Sequence, residues 1–226
     1  MPEYLPLGTF RQGLLPGGCS SCAWWQTVGK AGHQGSEATE RRHEWLASLE
    51  EGWGYVGLLV HEPSGRRGTA ASAEVTITAS IQFAPASSLA RFRELPFPPL
   101  PSSSALLFCL QTDEDAPQWV TKRLIRKALY ELRGRRIEEV YAVAHWPSEA
   151  PTADDCRFFS ADLLAENGFE HVTHDGHVCL MRVDNRGLVS LIGQVESAVR
   201  RVFAKEPAPS PAAWAHGEDG AEQGAP

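Results

Sequence analysis

The stretch that most constrains the fold runs from Ser104 to Val143, SALLFCLQTDEDAPQWVTKRLIRKALYELRGRRIEEVYAV. Ala105 to Gln111 is a short, continuous apolar run, the pattern of a strand buried on both faces. An acidic turn (Asp113, Glu114, Asp115) follows, and Pro117 opens a helix. The apolar positions of that helix (Val120, Leu124, Ile125, Ala128, Leu129, Leu132) fall on one side, and Ile137 to Ala144 is a second strand. Two apolar strands joined through one helix form a crossover unit, which places them parallel in one sheet.

The turn between strand and helix is where chemistry is expected. A helix N-terminus beside the C-terminal end of a parallel strand presents unpaired N–H groups and a positive dipole end, a seat for phosphate or pyrophosphate. The helix and its exit carry Lys122, Arg123, Arg126, Lys127, Arg133, Arg135 and Arg136 against one acid, Glu131. That is a third of the 21 basic residues of a chain whose formal net charge is −7. An anion site and a solvated helix face both fit this pattern, and both readings stand open.

At 226 residues with a single crossover unit, the chain is expected to form one domain over residues 1–204, with a disordered tail over 205–226 rich in Pro, Ala, Gly and Glu. The acidic balance argues against nucleic acid, no apolar run reaches membrane length, and the N-terminus lacks a signal-peptide pattern, so the expected compartment is the cytoplasm. Five cysteines in a chain of this length are read mostly as thiols.

Residues 1–18 read as an irregular lead-in before Cys19-Ser-Ser-Cys22-Ala-Trp24-Trp25. Helical spacing predicts a helix from Glu37 to Glu51, stopped by Gly52. Trp53 to His61 and Ala73 to Phe83 predict an antiparallel strand pair, and the proline- and serine-rich residues 84–103 an extended surface loop bordering a cleft. A helix is expected from Arg157 to Glu166, ended by Asn167-Gly168. Phe169 to Thr173 and His177 to Val183 then form a hairpin about Asp175-Gly176. Leu188 to Phe203 is an amphipathic helix that either packs on its own domain or meets a partner or second copy, as in a homodimer.

This order of elements resembles the GNAT superfamily of N-acetyltransferases over roughly residues 19–183. It is closest to bacterial members that open with Cys-x-x-Cys-x-aromatic-Trp and carry a Cys followed by a small-residue helix ending in Gly-Phe. Here these are Cys19 to Trp25 and CRFFSADLLAENGF, Cys156 to Phe169. The resemblance implies an α/β (α+β) fold: a GNAT-like mixed, twisted sheet with a central parallel strand–helix–strand unit, to which the C-terminal amphipathic helix is added. It implies acetyl-CoA as co-substrate, its pantetheine arm between the two parallel strands at Leu110, Gln111 and Thr112. The pyrophosphate would lie on the opening of the central helix at Gln118, Val120, Thr121, Lys122 and Arg123. The acceptor would be a small-molecule or protein amine.

The sequence departs from the family at two places. The glycines of the Arg/Gln-x-x-Gly-x-Gly/Ala signature are replaced by Thr121 and Arg123 if it starts at Gln118, or by Val120 and Lys122 if it starts at Pro117. The Tyr that many members place four residues before Gly-Phe, as acid toward the leaving thiolate, is Leu164. By position, Cys156 and His145, just beyond the second parallel strand, are the candidates for proton transfer, and a packing thiol and a loop histidine are the plain alternatives. Cys19 and Cys22 read as a turn packed beside two tryptophans. Half of a zinc site completed by Cys156 and His33 or His43, or a thiol enzyme built on Cys19, Cys22 and Cys156, are the rivals. For the whole protein, a non-catalytic GNAT-shaped module that has lost its cofactor is the alternative to an acyltransferase.

Overall fold

The computed structural model describes residues 3–29, 32–61, 77–113, 116–146 and 157–186, which all belong to one unit, Met1–Leu188. Cys156, the 188–203 helix expectation and the tail lie outside the described residues. The elements follow in the order β1 (Glu3–Pro6), α1 (Ser36–Gly52), β2 (Gly57–His61), β3 (Ile77–Pro85), β4 (Ala105–Thr112), α2 (Gln118–Gly134), β5 (Glu139–His145), β6 (Phe159–Ser160), α3 (Ala161–Ala165), β7 (Glu170–Asp175) and β8 (Val178–Asp184). They build one mixed sheet in the order β1-β2-β3-β4-β5-β8-β7, with β6 added to β5. Among the described residues only β4–β5 and β5–β6 pair in parallel; the other neighbours are antiparallel.

Alternation along each strand divides the sheet between two apolar layers. Ala79, Ile81 and Phe83 of β3 and Ala105 and Leu107 of β4 meet Val120, Leu124, Ile125, Ala128 and Leu132 of α2. The intervening Leu106 and Phe108 face the other side, where Trp25, Leu89, Phe92 and the α1 residue Trp45 cover them. Leu46 of α1 packs with Leu7, Val56 and Leu59 beside that cluster. The sheet is thus covered on both faces, by α2 and α3 on one and by α1 with the N-terminal segment on the other.

Several expectations need correction. The lead-in is not irregular: Glu3–Pro6 pairs antiparallel with Leu58–His61 as β1, and Thr9–Leu14 and Gly17–Ser20 are 3-10 turns. Four residues containing a proline gave no readable period, yet they can close the β2 edge of the sheet. Gly52 ends inside α1; the chain reverses at Gly54, whose φ is +94° and whose N–H, with that of Trp53, donates to Leu49 O. Residues 84–103 are not a loop lying free on the surface. Their 3-10 turns, Ala86–Ser88 and Ala90–Glu94, drive Leu89 and Phe92 into the core beside Trp25. The helix expected from Arg157 to Glu166 is only Ala161–Ala165, because Phe159 and Ser160 are first used as β6; Ser160 Oγ then accepts from Leu163 N. The other terminators hold: Gly168 and Gly176 adopt φ +86° and +55° at the end of α3 and at the hairpin.

Candidate active site

β4 and β5 are joined only at their N-terminal halves. Ala105, Leu106 and Leu107 pair with Val140, Tyr141 and Ala142, and the ladder stops there. The reason lies in β4. Between Ser80 and Gln82 of β3 lies one residue, but between their partners Gln111 and Phe108 lie two, so β4 carries a bulge at Cys109–Leu110. Cys109 takes φ +50°, one of two non-glycine residues with positive φ among the described residues. A bulge bends its strand and raises its twist, which swings the end of β4 away from β5. Beyond Leu107 the two strands make no further ladder pair among the described residues. β8 occupies the far edge of β5 along its whole length, so β6, opposite Ala144 and His145, must lie on the edge that faces the gap.

α2 starts at the mouth of this gap. Its N-cap is Pro117, which offers no side-chain cap; the Val120 N–H donates to Pro117 O, and the amides of Gln118 and Trp119 are left for an acceptor. The buried stripe fixes the helix phase: Val120 is 5 % exposed and packs in the core, so its side chain points away from the solvent side of that turn. A glycine at this position is therefore not what would keep the turn open. Thr121 is half-buried and Arg123 exposed, while Lys122 forms an ion pair with Glu166, the C-cap of α3, at 2.8 Å. The lower part of the basic run has structural tasks. Lys127 pairs with Glu131, and Arg135 lies over the rings of Trp53 and Tyr55 at 4.2 and 4.3 Å and donates to Trp53 O.

Of the positions expected to meet the pantetheine arm, Leu110 packs toward α2, Gln111 is half-buried on the α1 side, and Thr112 is exposed. His145 closes β5 on the α1 face, half-buried, with its ring edge-on to Phe158 at 5.5 Å between centroids. Phe158 also meets Trp24 at 5.7 Å and Trp25 at 6.2 Å. The N-terminal aromatic pair, the residue before β6 and the end of β5 thus converge on one side of the gap. Leu164 is fully buried and serves the core. Tyr141, whose hydroxyl burial and Glu139 together push up, pairs with Leu106 in the closed half of the ladder, away from the gap.

Cys19 is buried in the turn beneath α1, and Cys22 is half-buried with its carbonyl accepting from Arg42. Cys22 and Cys179 are free thiols. Burial pushes the Cys179 thiol up, away from the thiolate form. Among the described residues no group of three or more His, Cys, Asp or Glu is placed to hold a metal ion.

What sequence reasoning missed is the polar content of the α1 face. Ser80 and Gln82 alternate with Ala79, Ile81 and Phe83 and so read as solvent-facing, yet they are 0 % and 1 % exposed. Arg42 of α1 is 2 % exposed; its Nη1 donates to Cys22 O at 3.0 Å and its Nη2 to Gln82 Oε1 at 2.8 Å. The one signal available was that residues 19–25 and 84–103 carry enough Trp, Phe and Leu to cover a second face of the sheet.

No protein-family model matches the chain, and no curated protein sequence does. Solved structures do. An N-acetyltransferase from Staphylococcus aureus Mu50 aligns at TM-score 0.50 and 11 % identity over 82 % of this chain and 99 % of its own. The PaiA N-acetyltransferase of Thermoplasma acidophilum, solved in complex with coenzyme A, aligns at 0.47 and 14 % over 81 % and 99 %. The ribosomal-protein-S18-alanine N-acetyltransferase of Escherichia coli aligns at 0.43 and 14 % over 81 % and 94 %. At such identities the likeness is one of architecture, and with its bulged β4, its parallel β4–β5 pair and α2 at the mouth of the gap between them, the chain has a GNAT-like fold.

Proposed function

We propose that the protein is an acyl-CoA-dependent N-acyltransferase that uses acetyl-CoA to acylate an amine. One observation carries this reading: the early end of the β4–β5 ladder at Leu107, beside the bulge at Cys109 and the uncapped start of α2. A pantetheine arm is an extended chain with two amides and can lie along β4 beyond that point as a short extra strand. Leu110, Gln111 and Thr112 meet it through their main chain. The amides of Gln118 and Trp119 meet the pyrophosphate beside Thr121, and Arg123, exposed and in no ion pair among the described residues, adds a positive charge there. Lys122 contributes from its bridge to Glu166.

Acetyl-CoA supplies an activated acyl carbon. In the transfer the amine nitrogen bonds to that carbon, the carbon–sulfur bond breaks, the amine loses a proton and the thiolate gains one. His145, at the end of β5 on the gap side, is assigned the proton from the amine, and Cys156 the return of a proton to sulfur. The proteins that align structurally are described as N-acetyltransferases, which supports the same reaction class.

Calorimetric titration with acetyl-CoA tests the reading. Micromolar binding that weakens with salt is expected, and Arg123→Glu should weaken it at least tenfold without touching the Lys122–Glu166 pair. His145→Gln should leave that affinity unchanged and lower kcat on any accepted amine by about 100-fold or more. A protein that does not bind acetyl-CoA at millimolar concentration is not an acyltransferase, and the non-catalytic reading then takes its place.

A further inference from the structure

We infer that the β7 edge of the sheet carries a surface site for a nitrogen-seeking divalent transition-metal ion, held by the imidazoles of His171 and His174. The two residues are three apart in sequence, which on a regular strand puts side chains on opposite faces. The β7–β8 ladder, however, shifts register between His171 and Thr173, so that Val172 is an extra residue. His171 therefore lies opposite Met181 and His174 opposite Cys179, and both histidines stand on one face. On β8 that face is buried, with Met181 and Cys179 joining the core that α2 covers. Out on β7 both imidazoles are exposed. Their ring centroids are 5.5 Å apart. Trp146, 40 % exposed and anchored by its N–H on His177 O, lies against both rings at 5.1 and 6.1 Å. Ring contacts are all that hold the pair, for neither imidazole has a hydrogen bond or ion pair among the described residues.

The spacing is that of two imidazoles on one ion. An imidazole nitrogen binds zinc at about 2.0–2.1 Å, which sets the ring centroid roughly 3 Å from the metal, and two such rings at a tetrahedral angle stand roughly 5 Å apart. The last torsion of a histidine side chain is broad, so exposed rings turn their nitrogens toward a common point at little cost. Imidazole selects Ni(II), Cu(II) and Zn(II), whereas Mg(II) and Ca(II) take oxygen ligands. Among the described residues no group of three or more His, Cys, Asp or Glu is placed around an ion, so the pair differs from a closed structural zinc centre, which takes four protein ligands. Water fills the remaining positions, and the ion exchanges readily and accepts a ligand from solution.

Calorimetric titration of the untagged full chain with Ni(II), Zn(II) and Mg(II) tests the site. One equivalent of Ni(II) and of Zn(II) should bind, and Mg(II) should not. His171→Ala and His174→Ala should each weaken Ni(II) and Zn(II) binding by about tenfold or more. The melting temperature of both metal-free variants should equal that of the wild type, since each removes an exposed ring. His43→Ala, on α1, should leave the affinity unchanged. Trp146 adds a readout that needs no histidine variant. Saturating Ni(II), a quencher of neighbouring indoles, should dim part of the tryptophan emission of the wild type and none of that of Trp146→Phe. Ni(II) binding that survives both histidine substitutions, or quenching that persists in Trp146→Phe, places the ion elsewhere and overturns the inference. Absence of Ni(II) and Zn(II) binding overturns it too, and leaves the two rings as a stacking surface for Trp146.

Discussion

An added methyl group acts in opposite directions at Gly57 and at Gly134. A Cβ on Gly57 would run into Ile81 O and sit 3.2 Å from the Cα of Gln82, so β2 and β3 could accept it only by moving apart. Gly57→Ala should therefore destabilise the fold by about 2–3 kcal/mol, the cost of overpacking a rigid neighbour. At Gly134, the last residue of α2, a Cβ meets nothing within 4 Å, and Gly134→Ala should stabilise by roughly 0.5–1 kcal/mol through helix propensity and a less flexible unfolded chain. Urea unfolding of both variants checks the pair. Neither sign could be read from the sequence, where Gly57 is one residue of an apolar strand and Gly134 the break after a basic helix. The same holds for Ser80 and Gln82. Alternation correctly gave them one face, but which face is wet depends on what Trp25, Leu89 and Phe92 bring from distant segments.

At the level of elements, the crossover unit was legible because each part is locally consistent. A seven-residue apolar run, a proline at the helix start and a regular apolar stripe each require the same local structure. β1 and the short α3 were not, since a four-residue edge strand and a five-residue helix take their definition from neighbours. The basic run of α2 divides in the structure: its start borders the gap, and its end anchors the helix to the β2 side of the sheet. There Tyr55 donates to Glu131, which also pairs with Lys127, and Arg135 covers the Tyr55 ring. Burial alone would raise the Glu131 carboxyl, but the hydrogen bonds from Lys127 and Tyr55 prevail and hold it below its ordinary value. A carboxyl depressed by folding contributes stability that is present above its unfolded pKa and lost as pH falls through the folded one. Wild-type stability should thus decline from about pH 5 downward more steeply than that of Glu131→Gln, the two curves converging in acid. Parallel curves from thermal melts at pH 7 and pH 3.5 would show that Glu131 contributes no such linkage.

For the molecule as a whole, the gap between β4 and β5 is the place where the sheet is incomplete, and folding and ligand binding should be coupled there. A sheet that loses its ladder after three residue pairs opens locally more easily than one paired throughout. A ligand that binds only the native state stabilises it by about 2.7 kcal/mol at 100 times its Kd, which for a domain of this size raises the melting temperature by roughly 5–10 °C. Acetyl-CoA should produce that shift, and its effect should be local as well as global. Amide hydrogen exchange should slow at Phe108 to Thr112 of β4 and at the first turn of α2. It should change little in β7, the edge strand that is separated from β5 by β8. Uniform slowing across the sheet would mean that the ligand only suppresses global unfolding, and protection confined to the α2 turn would mean that the phosphates bind while the β4 edge does not. Protection at both places is what an arm laid along β4 requires, because its amides must pair with the main chain of that strand beside the bulge at Cys109.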